Sequence, residues 1–199
     1  GTGEYSVLNN FCFNDTATTE IYTLSLPDAL PISRATNLLN SREFHTLNSF
    51  VEMQTDTISI TARTLLPLIA RDLWWTGQPA GADTFERRRQ EALELLANWN
   101  GEMGEHDPEP LIYAAWVQTL QKRLIVDELG NLSNELTRLR PDFIEAVFRN
   151  ENGAQGWCDI KQTTPVETCQ QMAELSLDEA DRKSTRLNSR YVVISVAGF

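Results

Sequence analysis

Apolar residues recur at helical spacing through most of this chain, and that spacing is the feature that most restricts its fold. The clearest run lies between residues 58 and 73 and comprises Ile58, Ala62, Leu65, Leu66, Ile69 and Leu73. Residues three or four positions apart lie on one face of an α-helix and can be buried together. The sequence has no long alternating strand pattern, no internal repeat and no glycine-rich phosphate-binding loop. It therefore predicts a mainly α fold.

Proline, glycine and capping residues divide this pattern into separate helices. Pro67 lacks a backbone donor, which predicts a kink or a helix restart near residues 62–66. Asp83 and Glu86 have the spacing of an N-terminal capping box for a second helix. Gly101 is expected to end that helix, because glycine tolerates the left-handed cap conformation.

The later helices are marked by the same signals. Gly130 is predicted to close a third long helix, and Pro141 to open a fourth. In the last helix Thr164 would be the N-cap, Pro165 the first helical residue, and Glu167 the acid that reaches back to the cap.

Both ends of the chain resemble translated sequencing-library adapters. Residues 14–32, NDTATTEIYTLSLPDALPI, follow the codons of one common adapter except at Pro27, and residues 181–189, DRKSTRLNS, match the opposite one. Segments of this origin are excluded from fold reasoning, as an expression scar would be. We therefore expect residues 1–33 and 181–199 to be tails rather than domains, and residues 34–180 to be an internal fragment of a longer protein.

The charge and hydropathy exclude two classes of partner. The chain has a formal net charge of −11, so it should repel phosphate backbones and not bind nucleic acid. No run approaches the ~18 apolar residues that a membrane helix needs, so we expect no membrane partner. We expect no signal peptide within this fragment, and the longer protein could still be exported.

Cysteine spacing leaves two possibilities open. Cys12 lies in the N-terminal tail, whereas Cys158 and Cys169 are eleven residues apart and flank a turn. They could close a disulfide in an oxidising compartment or remain free thiols beside a loop. Neither His45 nor His106 has a metal-ligand spacing to them, so we predict no metal site.

Few residues suggest chemistry when they are read without a family. His45 has no nearby Ser or Cys nucleophile and is best interpreted as a surface or capping residue, while His106 lies in an acidic, exposed loop. Asp56 is interpreted as a cap or turn anchor, and residues 87–89, three arginines, as a solvated helix face. The tryptophans that could line an acyl pocket, but more often form a core, are Trp74, Trp75, Trp99 and Trp116.

One run of residues nevertheless resembles a known family. Residues 51–68, VEMQTDTISITARTLLPL, are similar to the Gln-x-Asp-x-x-Ser-x-x-Ala-x-x-Leu-Leu-Pro signature of penicillin acylase β-subunits. The matching residues are Gln54, Asp56, Ser59, Ala62, Leu65, Leu66 and Pro67.

Three further elements follow in the family's order. Residues 95–103, LLANWNGEM, resemble its Leu-x-x-Trp-Asp-Gly-x-Met element, with Asn100 in place of the usual Asp. Residues 110–120 resemble the helix that comes next. The run Trp-Cys-Asp at 157–159 and residues 164–169 resemble a paired-cysteine element of acyl-homoserine-lactone and lipopeptide acylases.

This resemblance implies an N-terminal-nucleophile amidohydrolase with an αββα fold, of which the chain would carry an incomplete, helical portion. In that family the β-subunit begins with a Ser whose own α-amine is the general base, and backbone amides with an Asn stabilise the oxyanion. These residues lie outside the matched region, and neither Ser33 nor Ser41 falls at the family's processing site. We therefore assign no catalytic residue and predict that this chain alone is inactive.

The resemblance also implies partners and a compartment. The partners would be the remainder of a parent α/β heterodimer and a small acyl amide: a β-lactam, an acyl-homoserine lactone or a lipopeptide. The parent would be periplasmic or secreted, which favours a disulfide between Cys158 and Cys169. We expect no cofactor in this chain, since any structural calcium ion of the parent would be bound by residues absent here. The alternative is a non-catalytic helical module that binds a protein.

Overall fold

A computed structural model describes residues 29–188 apart from positions 76, 83 and 162, with side chains described between residues 34 and 182. The chain divides into two compact units, Gly1–Thr55 and Asp56–Phe199, which are treated separately. No helix in the described part of the chain has both the length and the hydropathy needed to cross a membrane.

The described part of the first unit contains two helices, α1 (Ala29–Asn40) and α2 (Leu47–Gln54). A reciprocal capping box begins α2. The Thr46 hydroxyl accepts from the Ser49 amide at 3.2 Å, and the Ser49 hydroxyl accepts from the Thr46 amide at 2.9 Å. Two backbone donors at the start of the helix are thereby satisfied.

The second unit is built from five α-helices and two 3-10 segments within the described residues. The helices are α3 (Ile60–Ile69), α4 (Phe85–Asn98), α5 (Pro108–Leu129), α6 (Pro141–Arg149) and α7 (Cys169–Asn188). The 3-10 segments are Gly130–Asn134 and Glu151–Cys158. The prediction of a mainly α fold is confirmed, and extended pairing in the described residues is limited to one antiparallel bridge between Ile58 and Glu102.

Helix α5 is the centre of the core and packs most extensively against α7. Its residues Trp116, Val117, Leu120 and Leu124 are fully buried. The Trp116 indole Nε1 donates to the Ala173 carbonyl of α7 at 2.8 Å, so its one polar atom is satisfied inside the core. Burial of this size is the main favourable term in the stability of the unit.

Two boundary predictions are confirmed by the structure. Pro141 is the first residue of α6, where its missing amide hydrogen costs nothing. Gly130 follows the last residue of α5 with φ of 51°, a conformation that glycine adopts without a Cβ penalty.

Four other helix boundaries differ from the predictions. Pro67 lies inside α3, which runs without interruption from Ile60 to Ile69, so the helix does not restart near residues 62–66. Helix α4 ends at Asn98 with Trp99 as its C-cap, so Gly101 does not end it. Helix α4 is capped by Thr84, whose hydroxyl accepts from the Arg87 amide at 3.1 Å, and Asp83 lies outside the described residues. Helix α7 begins only at Cys169, because Thr168 caps it. The Thr168 amide donates to the Gln171 side-chain oxygen, and the Thr168 hydroxyl accepts from the Gln171 amide.

The arginines of α4 do not form the predicted solvated face as a group. Arg87 does pair along its own helix, with Glu91 at 2.7 Å. Arg89 instead crosses to α7, where it meets Glu174 and Asp178, each at 2.8 Å, and Arg88 meets Asp181 at 2.8 Å. Two of the three arginines therefore fasten α4 to α7.

Helices cross both predicted limits of the family-like segment. Helix α1 begins at Ala29, before residue 34, and α7 continues to Asn188, after residue 180. Asp181 takes part in tertiary pairing through its contact with Arg88.

Candidate functional site

The structure brings two of the family-like elements together at one place, which we call the bridge junction and define as residues 57–59, Arg63 and residues 99–103. The Ser59 amide donates to the Gly101 carbonyl at 2.8 Å, and the Met103 amide donates to the Thr57 carbonyl at 3.0 Å. These bonds flank the antiparallel bridge and tie the start of α3 to the segment that leaves α4.

Ser59 and Gly101 each have a structural reason to be the residue they are. The Ser59 hydroxyl is the N-cap of α3 and accepts from the Ala62 amide at 3.1 Å. Gly101 has φ of 85°, and a Cβ there would lie 3.0 Å from the Arg63 Cγ and 3.2 Å from the Ser59 carbonyl oxygen. A larger residue at this positive φ would strain the turn and crowd the Arg63 side chain and the Ser59 carbonyl.

Arg63 and Asn100 complete the junction from opposite sides. The Arg63 Nε donates to the Asn100 carbonyl at 2.7 Å. The Asn100 side-chain oxygen accepts from the Glu102 amide at 2.8 Å, which closes a local turn. The Trp99 indole donates to the Glu102 carbonyl at 2.7 Å.

Tyr113, from α5, lies beneath this junction. Its ring is 5.5 Å from that of Trp99, and its hydroxyl is buried with no hydrogen-bond partner among the described residues. Burial raises the pKa of the Tyr113 hydroxyl, because the phenolate would lose its hydration. The group therefore stays neutral and keeps an unused donor near the junction.

The second cluster surrounds the two cysteines. Cys158 and Cys169 are joined by a disulfide with their Cα atoms 5.0 Å apart. In the loop between them, the Glu167 carboxylate accepts from the Thr163 hydroxyl and from the Ile160 amide. These hydrogen bonds, that of Thr163 first, lower the pKa of Glu167 because they favour its charged form.

The structure gives His45 a capping role, within the first unit. One ring nitrogen lies 2.8 Å from the Leu39 carbonyl and the other lies 3.4 Å from the Ser49 hydroxyl. That hydroxyl already donates to the Thr46 carbonyl at 2.8 Å. Its proton is not directed at the imidazole, and the pair is not arranged as a nucleophile and base.

The remaining candidates do not converge. His106 is exposed in its loop, and Asp56 is half-buried ahead of Ile58. Of the four candidate tryptophans, Trp116 belongs to the core, Trp99 belongs to the bridge junction, Trp74 is 44% exposed and Trp75 is half-buried. The described side chains also contain no group of three or more His, Cys, Asp or Glu that could hold a metal ion.

Sequence reasoning missed the bridge junction and the orphan hydroxyl of Tyr113. The junction had a partial signal, because Ser59 and Gly101 both belong to motifs that were recognised. Nothing in the sequence, however, indicates that positions separated by some forty residues pair through a single bridge. The Tyr113 hydroxyl had no signal at all, since tyrosine at helical spacing predicts only burial.

Comparison with known proteins gives one match. The model of the Penicillin amidase family matches residues 8–191, which is most of the chain. No curated protein and no solved structure shows significant similarity to the chain.

Proposed function

Because the chain belongs to the penicillin amidase family, we propose that it is an internal, helical part of the β-subunit of an N-terminal-nucleophile amidohydrolase. Family members are heterodimeric enzymes that act on small amides. The observation that carries the proposal is the family match over residues 8–191. The parent enzyme would hydrolyse the amide of an acylated substrate and release a carboxylic acid and an amine.

The structural roles of the motif residues support the proposal that this chain is a helical part of the β-subunit. Ser59 caps a helix, Leu65 is in the core, Gly101 permits a close approach, and Trp116 fills the centre of α5. Each of these residues has a role in the fold. The segment would therefore support the catalytic subunit, while the nucleophilic Ser and the oxyanion groups come from elsewhere in the parent.

The disulfide supports an exported parent. Cys158 is fully buried and Cys169 is 8% exposed, so the bond belongs to the interior rather than to a reactive surface. Disulfides of this kind persist in oxidising compartments, which fits a periplasmic or secreted enzyme. Mass spectrometry of the parent, alkylated on isolation from its compartment, would find these two cysteines unmodified until a reductant is added.

The first experiment is to sequence the source locus outward from the codons of residues 41–179. The proposal expects one reading frame that continues upstream to a processing site followed by Ser. A frame that ends close to residues 34 and 180 on both sides would overturn it. The precursor encoded by the extended frame should cleave itself, which mass spectrometry of the new N-terminus would detect.

The second experiment is an activity assay of this chain beside that precursor. We expect the precursor to release product from an acylated β-lactam, an acyl-homoserine lactone or a cyclic lipopeptide, and the chain alone to release none. Turnover by the isolated chain, assayed beside a precursor whose N-terminal Ser codon has been replaced, would show that catalytic groups lie within the chain. The preferred acyl amide would be identified by the same panel.

One observation favours the alternative of a protein-binding module. In the first unit, Leu47, Phe50 and Val51 lie three and four positions apart on α2 and are 80%, 46% and 51% exposed. An apolar helix face of this kind is typical of a surface that another protein covers. A locus whose frame encodes no nucleophile at all would make this the better proposal.

A further inference from the structure

The sequence contains two Asn-Gly pairs, Asn100–Gly101 and Asn152–Gly153. Such pairs are the sites at which an asparagine side chain is most open to attack by the backbone nitrogen that follows it, because glycine has no Cβ to obstruct the approach. The structure places the two pairs in different surroundings, and the proposed function does not use the chemistry of either asparagine side chain.

The pair at Asn152 is exposed. Asn152 and Gly153 are both exposed and both left-handed, with φ of 53° and 81°. The Gly153 amide makes only a long contact, 3.4 Å, to the Asn150 carbonyl, beyond the usual range for a backbone hydrogen bond. A Cβ built on Gly153 would meet nothing within 4 Å.

The pair at Asn100 is held on both sides of the reacting bond. The Asn100 side-chain oxygen is bonded to the Glu102 amide at 2.8 Å, and the Asn100 carbonyl is bonded to Arg63 at 2.7 Å. These two hydrogen bonds hold the Asn100 side chain and the peptide group that contains the Gly101 nitrogen in one arrangement. Rotation of either group toward the geometry of ring closure is opposed by both hydrogen bonds.

We propose that Asn152 is a site of spontaneous deamidation and that the bridge junction protects Asn100 from the same reaction. The Gly153 nitrogen, its proton taken by a buffer base, attacks the Asn152 Cγ. The new N–Cγ bond closes a succinimide, the Cγ–Nδ2 bond breaks, and the nitrogen leaves as ammonia after protonation. Water then opens the ring.

The position of ring opening decides the product. Water that attacks the side-chain carbonyl breaks the new bond and gives Asp at position 152. Water that attacks the backbone carbonyl gives isoaspartate, in which the chain runs through the side chain. Both products add a negative charge beside Glu151, and isoaspartate also lengthens the backbone within the Glu151–Cys158 segment.

The test uses the full chain, incubated in mildly alkaline buffer and sampled over time. After reduction and trypsin digestion, tandem mass spectrometry would follow the mass change from amide to acid at each asparagine. Two hydrogen bonds of ordinary net strength protect Asn100, so Asn152 should react roughly ten to a hundred times faster. Equal rates in the folded chain, or a faster reaction at Asn100, would overturn the proposal.

Internal controls separate structure from local sequence. In urea the two rates should become similar, since both pairs then have the same freedom. Asn150, which is also left-handed but precedes Glu151, lies on the same tryptic peptide and should react far more slowly than Asn152. If Asn150 reacts as fast, the exposed turn rather than the Asn-Gly chemistry determines the rate.

Two variants complete the design. Asn152→Gln should abolish the mass change on that peptide, because a glutamine would have to close a larger ring. Arg63→Ala should raise the rate at Asn100 by roughly three- to tenfold and leave the rate at Asn152 unchanged. A rise at both positions would indicate general unfolding, which circular dichroism would reveal, and no rise at Asn100 would contradict the protective role of Arg63.

Discussion

The start of α7 and its later residues are attached to the rest of the second unit by different combinations of forces. The first residues are held covalently through Cys169 and by burial of Met172 and Ala173. The later residues include the buried Leu177 and also carry carboxylates, among them Asp178 and Asp181, that meet arginines of α4. Burial therefore continues along the helix, with a covalent bond added at its start and ion pairs added further along.

This difference predicts how each half responds to solution conditions. Apolar burial and a covalent bond depend little on ionic strength, whereas partly exposed ion pairs weaken as salt screens them. A helix with both kinds of attachment should loosen from its later residues first. Hydrogen exchange in rising salt should show loss of protection beginning near residues 178–181 and reaching residues 172–173 last.

Removal of the core contact should have the largest effect. Trp116→Ala leaves a cavity at the centre of the α5–α7 interface and leaves the Ala173 carbonyl without its donor. We expect a loss of about 3–5 kcal/mol in the free energy of unfolding, measured by urea denaturation followed by circular dichroism. Leu111→Ala, at an exposed position of the same helix, is the control and should cost less than about 0.5 kcal/mol. Similar costs for the two variants would contradict the assignment of the core.

Removal of the disulfide should come second. The double variant Cys158→Ser, Cys169→Ser frees a short loop in the unfolded chain and should cost about 3 kcal/mol in the chain-entropy model. The loss should be the same at low and high salt. A reductant should lower the stability of the unsubstituted chain by the same amount and leave the stability of the double variant unaffected.

Removal of the charged contact should be smaller and dependent on salt. Arg89 is 18% exposed and pairs with two carboxylates, so Arg89→Ala should cost about 1–2 kcal/mol at low ionic strength. The loss should shrink in high salt, unlike that of the disulfide variant. Arg87→Ala removes a pair within α4 itself and should cost no more than about 0.5 kcal/mol. A salt-independent loss at Arg89 would show that packing, not charge, attaches this half of α7.

The smallest effect should appear only in acid. The pKa of Glu167 is lowered in the folded chain, so its contribution to stability is complete above its unfolded value of about 4.3 and disappears as pH falls through the lower folded value. Glu167→Gln should therefore reduce the acid dependence of unfolding below about pH 4.3 and change little near neutrality. Thr163→Ala should act in the same direction. If the free energy of unfolding depends on pH in the same way for both variants and for the unsubstituted chain, the hydrogen bonds assigned to this loop are contradicted.

The sequence predicted those parts of the fold that depend on near neighbours. Pro141 and Gly130 mark helix ends through their own backbone chemistry, and both were predicted correctly. Thr84 was missed because Asp83, one position earlier, is an equally good cap by type. The N-cap of α7 was missed for the same reason, since Thr164 and Thr168 both precede a residue able to reach back.

Contacts that join distant positions could not be predicted in this way. The partner of Arg88 lies 93 residues further along the chain, and that of Arg63 lies 37 residues away. A run of arginines on a helix has the same sequence pattern whether it faces water or a second acidic helix. Only the packing of α4 on α7, which depends on the whole core, decides between the two.

The disulfide also determines how proteolytic cleavage of this chain would be detected. Residues 159–168 form a ring closed by Cys158 and Cys169, so a protease that cuts once within it leaves both products covalently joined. Such a nicked chain would keep its mass on a non-reducing gel, apart from the added water, and would separate into two pieces only after reduction. The intactness of this loop is therefore visible only to a reducing analysis.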